Sequence, residues 1–103
     1  MPTTMTGKEL YEYLTYNGMS PAGATGIVAN LQAESGLNSK AVQPNGPGRG
    51  IAQWSVGGRW DQLVKWAKSA RRDPEDINTQ LYYMQKEMKE SGLWERLQKT
   101  TDE

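Results

Sequence analysis

The sequence predicts an α+β fold that is mostly helical, with about five helices and a short β-hairpin or loop region at residues 37–58. Helix start and stop signals recur on both sides of this region. Residues 36–58 hold 8 of the 16 glycines and prolines in the chain, and these residues interrupt regular helices. The length of 103 residues fits a single domain spanning residues 1–103.

Two helices are predicted before the loop-rich centre. Thr6 and Glu9 have the spacing of a capping box, so the first helix begins there, and it ends at residues 17–18 (Asn-Gly). The second helix begins with Ser20 as its N-cap and Pro21 at its first helical position. A serine oxygen accepts one of the free N–H groups at a helix start, and proline has no N–H to satisfy.

The second helix is expected to be buried and to end at Gly36. Its apolar residues recur at helical spacing, at Ala24, Ile27, Val28 and Leu31. Gly23 and Gly26 each lower its helix propensity by about 1 kcal/mol relative to alanine. We therefore expect these two glycines to permit close packing by a neighbouring element.

After the second helix, residues 50–54 are predicted as a short strand and residues 57–58 as a turn. Helical periodicity returns in a third helix with Trp60, Leu63, Val64 and Ala67. A fourth helix is predicted to open at residues 73–74 (Asp-Pro) and end at residues 91–92, with an apolar stripe of Ile77, Leu81, Met84 and Met88. A short fifth helix carries Leu93, Trp94 and Leu97, and residues 100–103 are interpreted as a tail.

The composition excludes most classes of enzyme. The chain has no cysteine and no histidine, which excludes thiol nucleophiles, disulfides, Ser-His-Asp triads and ordinary zinc sites. Carboxylates, lysine, tyrosine and backbone dipoles remain for catalysis. Oxygen-only Mg²⁺ or Ca²⁺ sites stay open, although no EF-hand spacing is present, and we predict no metal and no cofactor. Lys plus Arg (12) equals Asp plus Glu (12), which argues against nucleic-acid binding. No apolar run approaches the roughly 20 residues of a membrane span, and the polar start does not resemble a signal peptide.

Glu34 is the most informative residue. It follows Ile27 and Leu31 at helical spacing, so we expect it on the apolar face, in the last turn of its helix. Burial and the helix dipole both favour a neutral carboxyl there and raise its pKa. The next 26 residues contain no acid, and they offer neutral polar side chains instead, including Asn38, Gln43, Asn45, Gln53 and Ser55. This pattern is typical of a general acid. The alternative is a helix-end glutamate bonded to a backbone amide or to Arg49 or Arg59.

Several segments resemble the core signature of lysozyme-like peptidoglycan hydrolases and lytic transglycosylases. These are residues 34–38 (Glu-Ser-Gly-Leu-Asn), residues 41–42 (Ala-Val) and residues 50–54 (Gly-Ile-Ala-Gln-Trp). A longer set resembles the phage tail lysozyme family and comprises residues 26–36, Trp54, residues 58–60 and, weakly, residues 80–83.

The resemblance implies cleavage of the β-1,4 bond between N-acetylmuramic acid and N-acetylglucosamine, with Glu34 as the catalytic acid. It implies that Gln53 lies across the cleft, where it binds a sugar or orders a water molecule. The partner would be bacterial peptidoglycan, without nucleic acid or membrane. The chain would be one lysozyme-like domain of a larger phage tail or endolysin protein, monomeric when isolated. It would act on the host cell wall from the virion tail, or after release from the host cytoplasm.

The mechanism depends on whether a second carboxylate takes part. A retaining glycosidase needs one about 5–5.5 Å from the acid, and an inverting glycosidase needs one at roughly 6.5–9.5 Å. Asp61 is the nearest later acid in the sequence, but a first-turn acid is also favoured by the helix dipole. We therefore favour a single-acid scheme in which Glu34 assists water. Lytic transglycosylation through the 6-hydroxyl of the substrate is the alternative. It is disfavoured because Tyr82 and Tyr83 lack the following Asn of many transglycosylases.

The remaining candidate residues are assigned to substrate binding, with structural alternatives. Substrate-binding candidates are Gln53, Trp54, Asn38, Ser55, Arg59 and Tyr83. Trp54 would stack on a sugar or belong to the core, and Tyr83 would hydrogen-bond near Glu34 by resemblance. Ser35 is expected to fix the helix end, because no histidine activates it. Trp60, Trp66 and Trp94 are expected to pack in the core. A non-catalytic glycan-binding module and a structural tail domain are the competing functions.

Overall fold

The computed structural model describes residues 2–99, and helices make up 58% of them. The elements in chain order are α1 (Gly7–Tyr16), α2 (Pro21–Ser35), β1 (Gly48–Arg49), β2 (Trp54–Ser55), α3 (Arg59–Ser69), α4 (Ile77–Ser91) and α5 (Leu93–Gln98). The predicted fold class is confirmed, with five helices and one small antiparallel sheet in the described part of the chain. The predicted tail at residues 100–103 lies outside the described residues.

The predicted starts of the first two helices are confirmed by their caps. The backbone N–H of Thr6 donates to Glu9 Oε1 at 2.9 Å, and the N–H of Glu9 donates to Thr6 Oγ1 at 3.0 Å. Ser20 Oγ accepts from the N–H of Gly23 at 3.1 Å. Helix α2 ends where Gly36 adopts a left-handed conformation with φ 64°.

The predicted start of the fourth helix is wrong by one turn. Helix α4 begins at Ile77, and its N-cap is Asp76, whose side chain accepts from the N–H of Asn78 at 2.8 Å. Asp73 caps a separate turn instead, accepting from the N–H of Glu75 at 2.8 Å. Two aspartates with capping geometry follow each other here, and the second one starts the helix.

The predicted strand over residues 50–54 is mostly a turn. Strands β1 and β2 pair antiparallel, with Gly48 opposite Ser55 and Arg49 opposite Trp54. The residues between them form the connection, which includes Gly50 at φ 77° and Gln53 at φ 51°. Left-handed residues bend the chain and cannot continue a strand, so residue 54 alone of the predicted strand is paired.

One hydrophobic core joins the helices to the hairpin. Its most enclosed members are Leu10, Leu14, Ile51, Trp54, Leu63 and Leu81, each at most 1% exposed. The expected burial of Trp94, Met84 and Met88 is confirmed, whereas Trp60 and Trp66 are only half-buried against the core. Within the described residues no helix is sufficiently long and apolar to cross a bilayer.

Gln80 connects the central loop to α4 through three hydrogen bonds of a fully buried side chain. Its Oε1 accepts from the N–H of Ile51 at 2.9 Å. Its Nε2 donates to the carbonyl oxygens of Ser39 at 2.9 Å and Pro74 at 2.8 Å. One amide therefore holds the loop after α2 at Ser39 and the connection between the strands at Ile51. It can satisfy these backbone groups because it is both donor and acceptor.

The two glycines of α2 differ in their surroundings. A Cβ on Gly23 would lie 2.5 Å from the carbonyl oxygen of Leu97 and 2.6 Å from Met19 Sδ, so α5 packs directly on this position. A Cβ on Gly26 would meet nothing within 4 Å. The expectation of close packing is therefore confirmed for Gly23 and is wrong for Gly26.

Replacing Gln80 with methionine is expected to lower the free energy of unfolding by about 3–5 kcal/mol. Methionine has a similar volume, but it leaves the backbone partners of Gln80 unpaired at about 1–3 kcal/mol each. Chemical denaturation measures the difference. The matched control is Gln62→Met on the exposed surface of α3, which should stay within about 0.5 kcal/mol of the wild type. Equal stability of the Gln80→Met variant and the wild type would show that the clamp is not needed.

Alanine substitutions at Gly23 and Gly26 should change stability in opposite directions. Gly26→Ala should raise the free energy of unfolding by up to about 1 kcal/mol, because only helix propensity changes. Gly23→Ala should lower it by about 1–3 kcal/mol, because the new methyl group forces α5 away from α2. Thermal denaturation of the two variants side by side tests this, and a loss of stability in both would contradict it.

Candidate active site

Glu34 lies in the last turn of α2, and the end of this helix is fixed by its neighbours. Ser35 Oγ donates to the carbonyl oxygen of Leu31 at 3.0 Å and accepts from the N–H of Leu37 at 3.2 Å. Ser35 therefore has the predicted structural contacts. Gly36 and Leu37 both adopt left-handed conformations, with φ 64° and 57°, which turns the chain sharply into the central loop.

The side chain of Glu34 faces a groove and not the core. Ile27 and Leu31 are buried at 6% and 5% exposure, as expected for that face of α2, but Glu34 is exposed. Its predicted place on a buried face is therefore wrong. The physical reason is that an open groove of about 390 Å³, and not packed core, lies beside Glu34. Glu34, Gln43, Ala52 and Gln53 line this groove.

Burial makes the Glu34 carboxyl a weaker acid than a free glutamate. Partial burial by the groove raises the pKa of the Glu34 carboxyl above its ordinary value of 4.5, and the positive charge of Arg59 opposes this rise. The carboxyl makes no hydrogen bond or salt bridge within the described residues. The alternative of a helix-end glutamate bonded to an amide or an arginine is therefore not what the structure shows.

Two glutamines line the same groove as Glu34, and backbone groups hold both of them. Gln53 Nε2 donates to the carbonyl oxygen of Gly50 at 2.8 Å, and Gln43 Oε1 accepts from the N–H of Gly48 at 3.1 Å. A Cβ on Gly48 would lie 2.7 Å from Gln53 Oε1, so glycine makes room for both side chains. Gln53 therefore lines the same groove as Glu34, and its role in binding a sugar or a water molecule stays a prediction. Gln43 was predicted only as a polar loop residue, because its spacing from Gln53 in the sequence carries no signal.

Trp54 has no surface available for a sugar, contrary to one of its two predicted roles. Its side chain is 1% exposed, so the core interpretation is correct. The indole N–H donates to Glu87 Oε1 at 2.8 Å. Tyr83, also expected near Glu34, is 6% exposed and packs edge-on against Trp54 at 6.1 Å between ring centroids. Burial and the charge of Glu87 raise the pKa of Tyr83, and Glu34 is not among the groups that act on it.

Arg59, another predicted substrate-binding residue, is held by Glu87, and the two line a different groove from that of Glu34. Arg59 Nη2 and Nε donate to the two oxygens of Glu87 at 2.8 and 3.1 Å, a bidentate ion pair. Glu87 was not predicted from the sequence, because it lies on α4 far along the chain from both its partners. The pKa of Arg59 is raised mainly by its hydrogen bonds to Glu87.

The remaining predicted site residues do not line the groove beside Glu34. Asn38 Oδ1 accepts from the N–H of Lys40 at 2.8 Å and caps a turn, and Ser55 is exposed on β2. Asp61 Oδ1 accepts from the N–H of Gly57 at 3.1 Å. It lines a different groove, with Val56, Trp60, Val64, Lys65 and Lys68. Asp61 therefore has the contacts of a helix-start acid, and its part in catalysis stays a prediction.

The groove combines one titratable carboxyl with two neutral amides. Such a set can donate a proton and hydrogen-bond a polar, uncharged ligand. Among the described residues there is no cluster of three or more acidic residues that could hold a metal ion.

Comparison with known proteins supports the resemblance found in the motifs. The model of the phage tail lysozyme family matches residues 5–103, essentially the whole chain. A comparison with curated proteins found no significant match.

Replacing Glu34 with glutamine is expected to make the protein more stable than the wild type at pH 7, because the groove partly desolvates the charge of Glu34. A carboxyl whose folded pKa is raised lowers stability above that pKa, and the loss disappears as pH falls below the unfolded value near 4.5. Thermal denaturation at pH 7 and pH 3 tests the sign. A Glu34→Gln variant less stable than the wild type at pH 7 would contradict the described electrostatics.

Proposed function

Because this chain belongs to the phage tail lysozyme family, we propose that it is a peptidoglycan muramidase with Glu34 as its general acid. It cleaves the β-1,4 bond between N-acetylmuramic acid and N-acetylglucosamine. The observation that carries this proposal is the unpaired, partly desolvated carboxyl of Glu34 in a groove also lined by two fixed glutamines. A general acid needs a proton at working pH, and a raised pKa increases its protonated fraction.

In the first step Glu34 donates its proton to the glycosidic oxygen as the bond from that oxygen to C1 of the muramic acid breaks. Positive charge then develops on the sugar ring, as in other glycosidases. The carboxylate left on Glu34 takes a proton from a water molecule that attacks C1, which restores the acid. One protein carboxyl is therefore sufficient for both proton transfers.

A single-acid scheme is supported by the residues around the groove. Glu34 is the only acid among the residues that line it, and Asp61 lies in a different groove. In place of a second carboxylate the groove offers the amides of Gln43 and Gln53, which are suited to orient water or the acetamido group of a sugar. We propose this as the role of Gln53, with Gln43 as its partner.

Hydrolysis is favoured over lytic transglycosylation, in which the 6-hydroxyl of the muramic acid would replace water and leave a 1,6-anhydro end. The absence of an Asn after Tyr82 and Tyr83 supports hydrolysis. The family supports action on the bacterial cell wall as part of a phage tail or endolysin protein, and we propose this as the setting of the chain.

Glu34→Gln should abolish the clearing of purified cell walls while the fold is retained. We expect wild-type digestion to yield reducing muramic acid ends, detected by mass spectrometry, and activity that falls as pH rises through the folded pKa of Glu34. The matched control is Glu12→Gln on the exposed surface of α1, which should keep wild-type activity.

Three outcomes would each overturn a different part of the proposal. Activity in the Glu34→Gln variant would remove Glu34 from catalysis. Predominant 1,6-anhydro ends would indicate transglycosylation. Binding of wall fragments by the wild type without new chain ends would indicate a non-catalytic glycan-binding module.

A further inference from the structure

Two aromatic rings stack on the surface where α3 and α4 meet. Trp66 of α3 and Tyr82 of α4 have ring centroids 5.7 Å apart and an angle of 9° between their planes. Tyr82 is still 53% exposed, and Trp66 is only half-buried. The pair therefore presents aromatic surface to solvent in a fixed orientation, and exposed apolar surface of this kind is typical of a binding site.

The stack is held in place by its neighbours. The buried ring of Tyr83 contacts Trp66 with 5.3 Å between the ring centroids. The guanidinium of Arg72 lies 5.3 Å from the centroid of the Tyr82 ring. Because packed aromatic rings have few torsion angles left to order, a ligand that binds them loses little affinity to conformational entropy.

An open groove of about 390 Å³ lies beside the stack, and we call it the aromatic groove. Its lining residues are Trp66, Tyr82, Gln85, Lys86, Lys89 and Glu90. The five residues from α4 are spaced three or four positions apart or adjacent to such positions, so they share one face of the helix. Gln85 Oε1 accepts from the hydroxyl of Tyr13 at 3.0 Å, and its amide NH₂ bonds to no described residue. The aromatic groove shares no lining residue with the groove of Glu34.

Positive charge exceeds negative charge around the aromatic groove. Glu90 is the one acid among its lining residues, and it pairs with Lys86 at 3.1 Å. Lys89 Nζ lies 5.3 Å from the ring centroid of Trp94, and neither Lys89 nor Arg72 forms a salt bridge with a described residue. Two cations without a carboxylate partner beside an aromatic surface favour a ligand that is anionic and can also pack against a ring.

We propose that the aromatic groove is an accessory surface that binds carboxylate-bearing glycan strands of the bacterial cell wall, outside the groove of Glu34. The choice of this occupant rests on the proposed function, because the proposed substrate carries both kinds of chemistry. The C–H groups of its sugar rings pack against the electron-rich faces of aromatic rings. The carboxylates of muramic acid or of its peptide stems pair with Lys89 and Arg72. A second point of attachment raises the effective concentration of glycan at the groove of Glu34.

The test measures co-sedimentation with purified insoluble peptidoglycan. Every protein carries Glu34→Gln, so that the walls are not digested during the measurement. Adding Tyr82→Ala should raise the apparent dissociation constant about tenfold, the scale of losing one stacking ring in a nucleic-acid groove. Adding Lys89→Gln should raise it about threefold and make binding less sensitive to salt.

Matched controls come from α1, which contributes no residue to the aromatic groove. Tyr16→Ala removes a tyrosine that is 91% exposed, and Lys8→Gln removes a lysine whose side chain is 86% exposed. Both controls should bind peptidoglycan as tightly as the Glu34→Gln parent. Because Lys89 is exposed, Lys89→Gln also serves as the test if Tyr82→Ala does not fold.

NMR titration of the same parent protein identifies the surface and the ligand chemistry. Soluble muramyl-peptide fragments should shift the indole signal of Trp66 and the amide signals of residues 82–90. Neutral oligomers of N-acetylglucosamine have no carboxylate, so they should shift these signals less at equal concentration. Shifts confined to residues outside the aromatic groove would overturn the proposal.

The sedimentation outcomes separate this surface from the proposed function. Unchanged binding in both Tyr82→Ala and Lys89→Gln, or an equal loss in Tyr16→Ala, would overturn the accessory surface. It would do so even if the wild type cleaves the glycan. A wild type that cleaves no glycan would count against the proposed function, and weaker binding in Tyr82→Ala alone would still support the accessory surface.

Discussion

The buried amide of Gln80 is the contact on which the candidate site depends. It binds the backbone at two positions of the central loop, Ser39 and Ile51, and connects both of them to the turn before α4. The loop contains many glycines and prolines and little regular structure of its own, so few ladder hydrogen bonds hold it. One side chain with a donor and an acceptor replaces that missing ladder, and the wall of the groove beside Glu34 is built on it.

The site combines features that a stable protein surface would avoid. The carboxyl of Glu34 is partly desolvated, unpaired, and located at the end of a helix where the dipole opposes its charge. An arginine at a helix start is equally unfavourable on local grounds. Only the cost at Glu34 acts in the direction that a general acid requires, because the charge of Arg59 lowers the pKa of Glu34. Deviations from local rules are expected at functional sites. Arg59 pairs with Glu87, and no salt bridge joins it to Glu34 in the described part of the chain.

The core and the groove are built from residues that are adjacent in the chain. Trp54 follows Gln53 directly, yet one side chain lies in the groove and the other is enclosed in the core with its N–H on Glu87. The left-handed conformation of Gln53 separates these two directions. Tyr83 and Trp66 extend the same aromatic packing, which anchors α4 beneath the Arg59–Glu87 pair.

The sequence by itself determined the helices, the caps at Thr6, Ser20 and Gly36, the loop-rich centre and the candidacy of Glu34, because these depend on neighbours within a few residues. It misplaced the start of α4, where two capping aspartates compete locally and only packing chooses between them. The roles of Gln80 and Glu87 were decided by the tertiary structure alone, since their partners are distant along the chain. The exposure of Glu34 was decided in the same way: helical spacing sets the direction in which a side chain points, but whether a core or an open groove lies there depends on how the other elements pack.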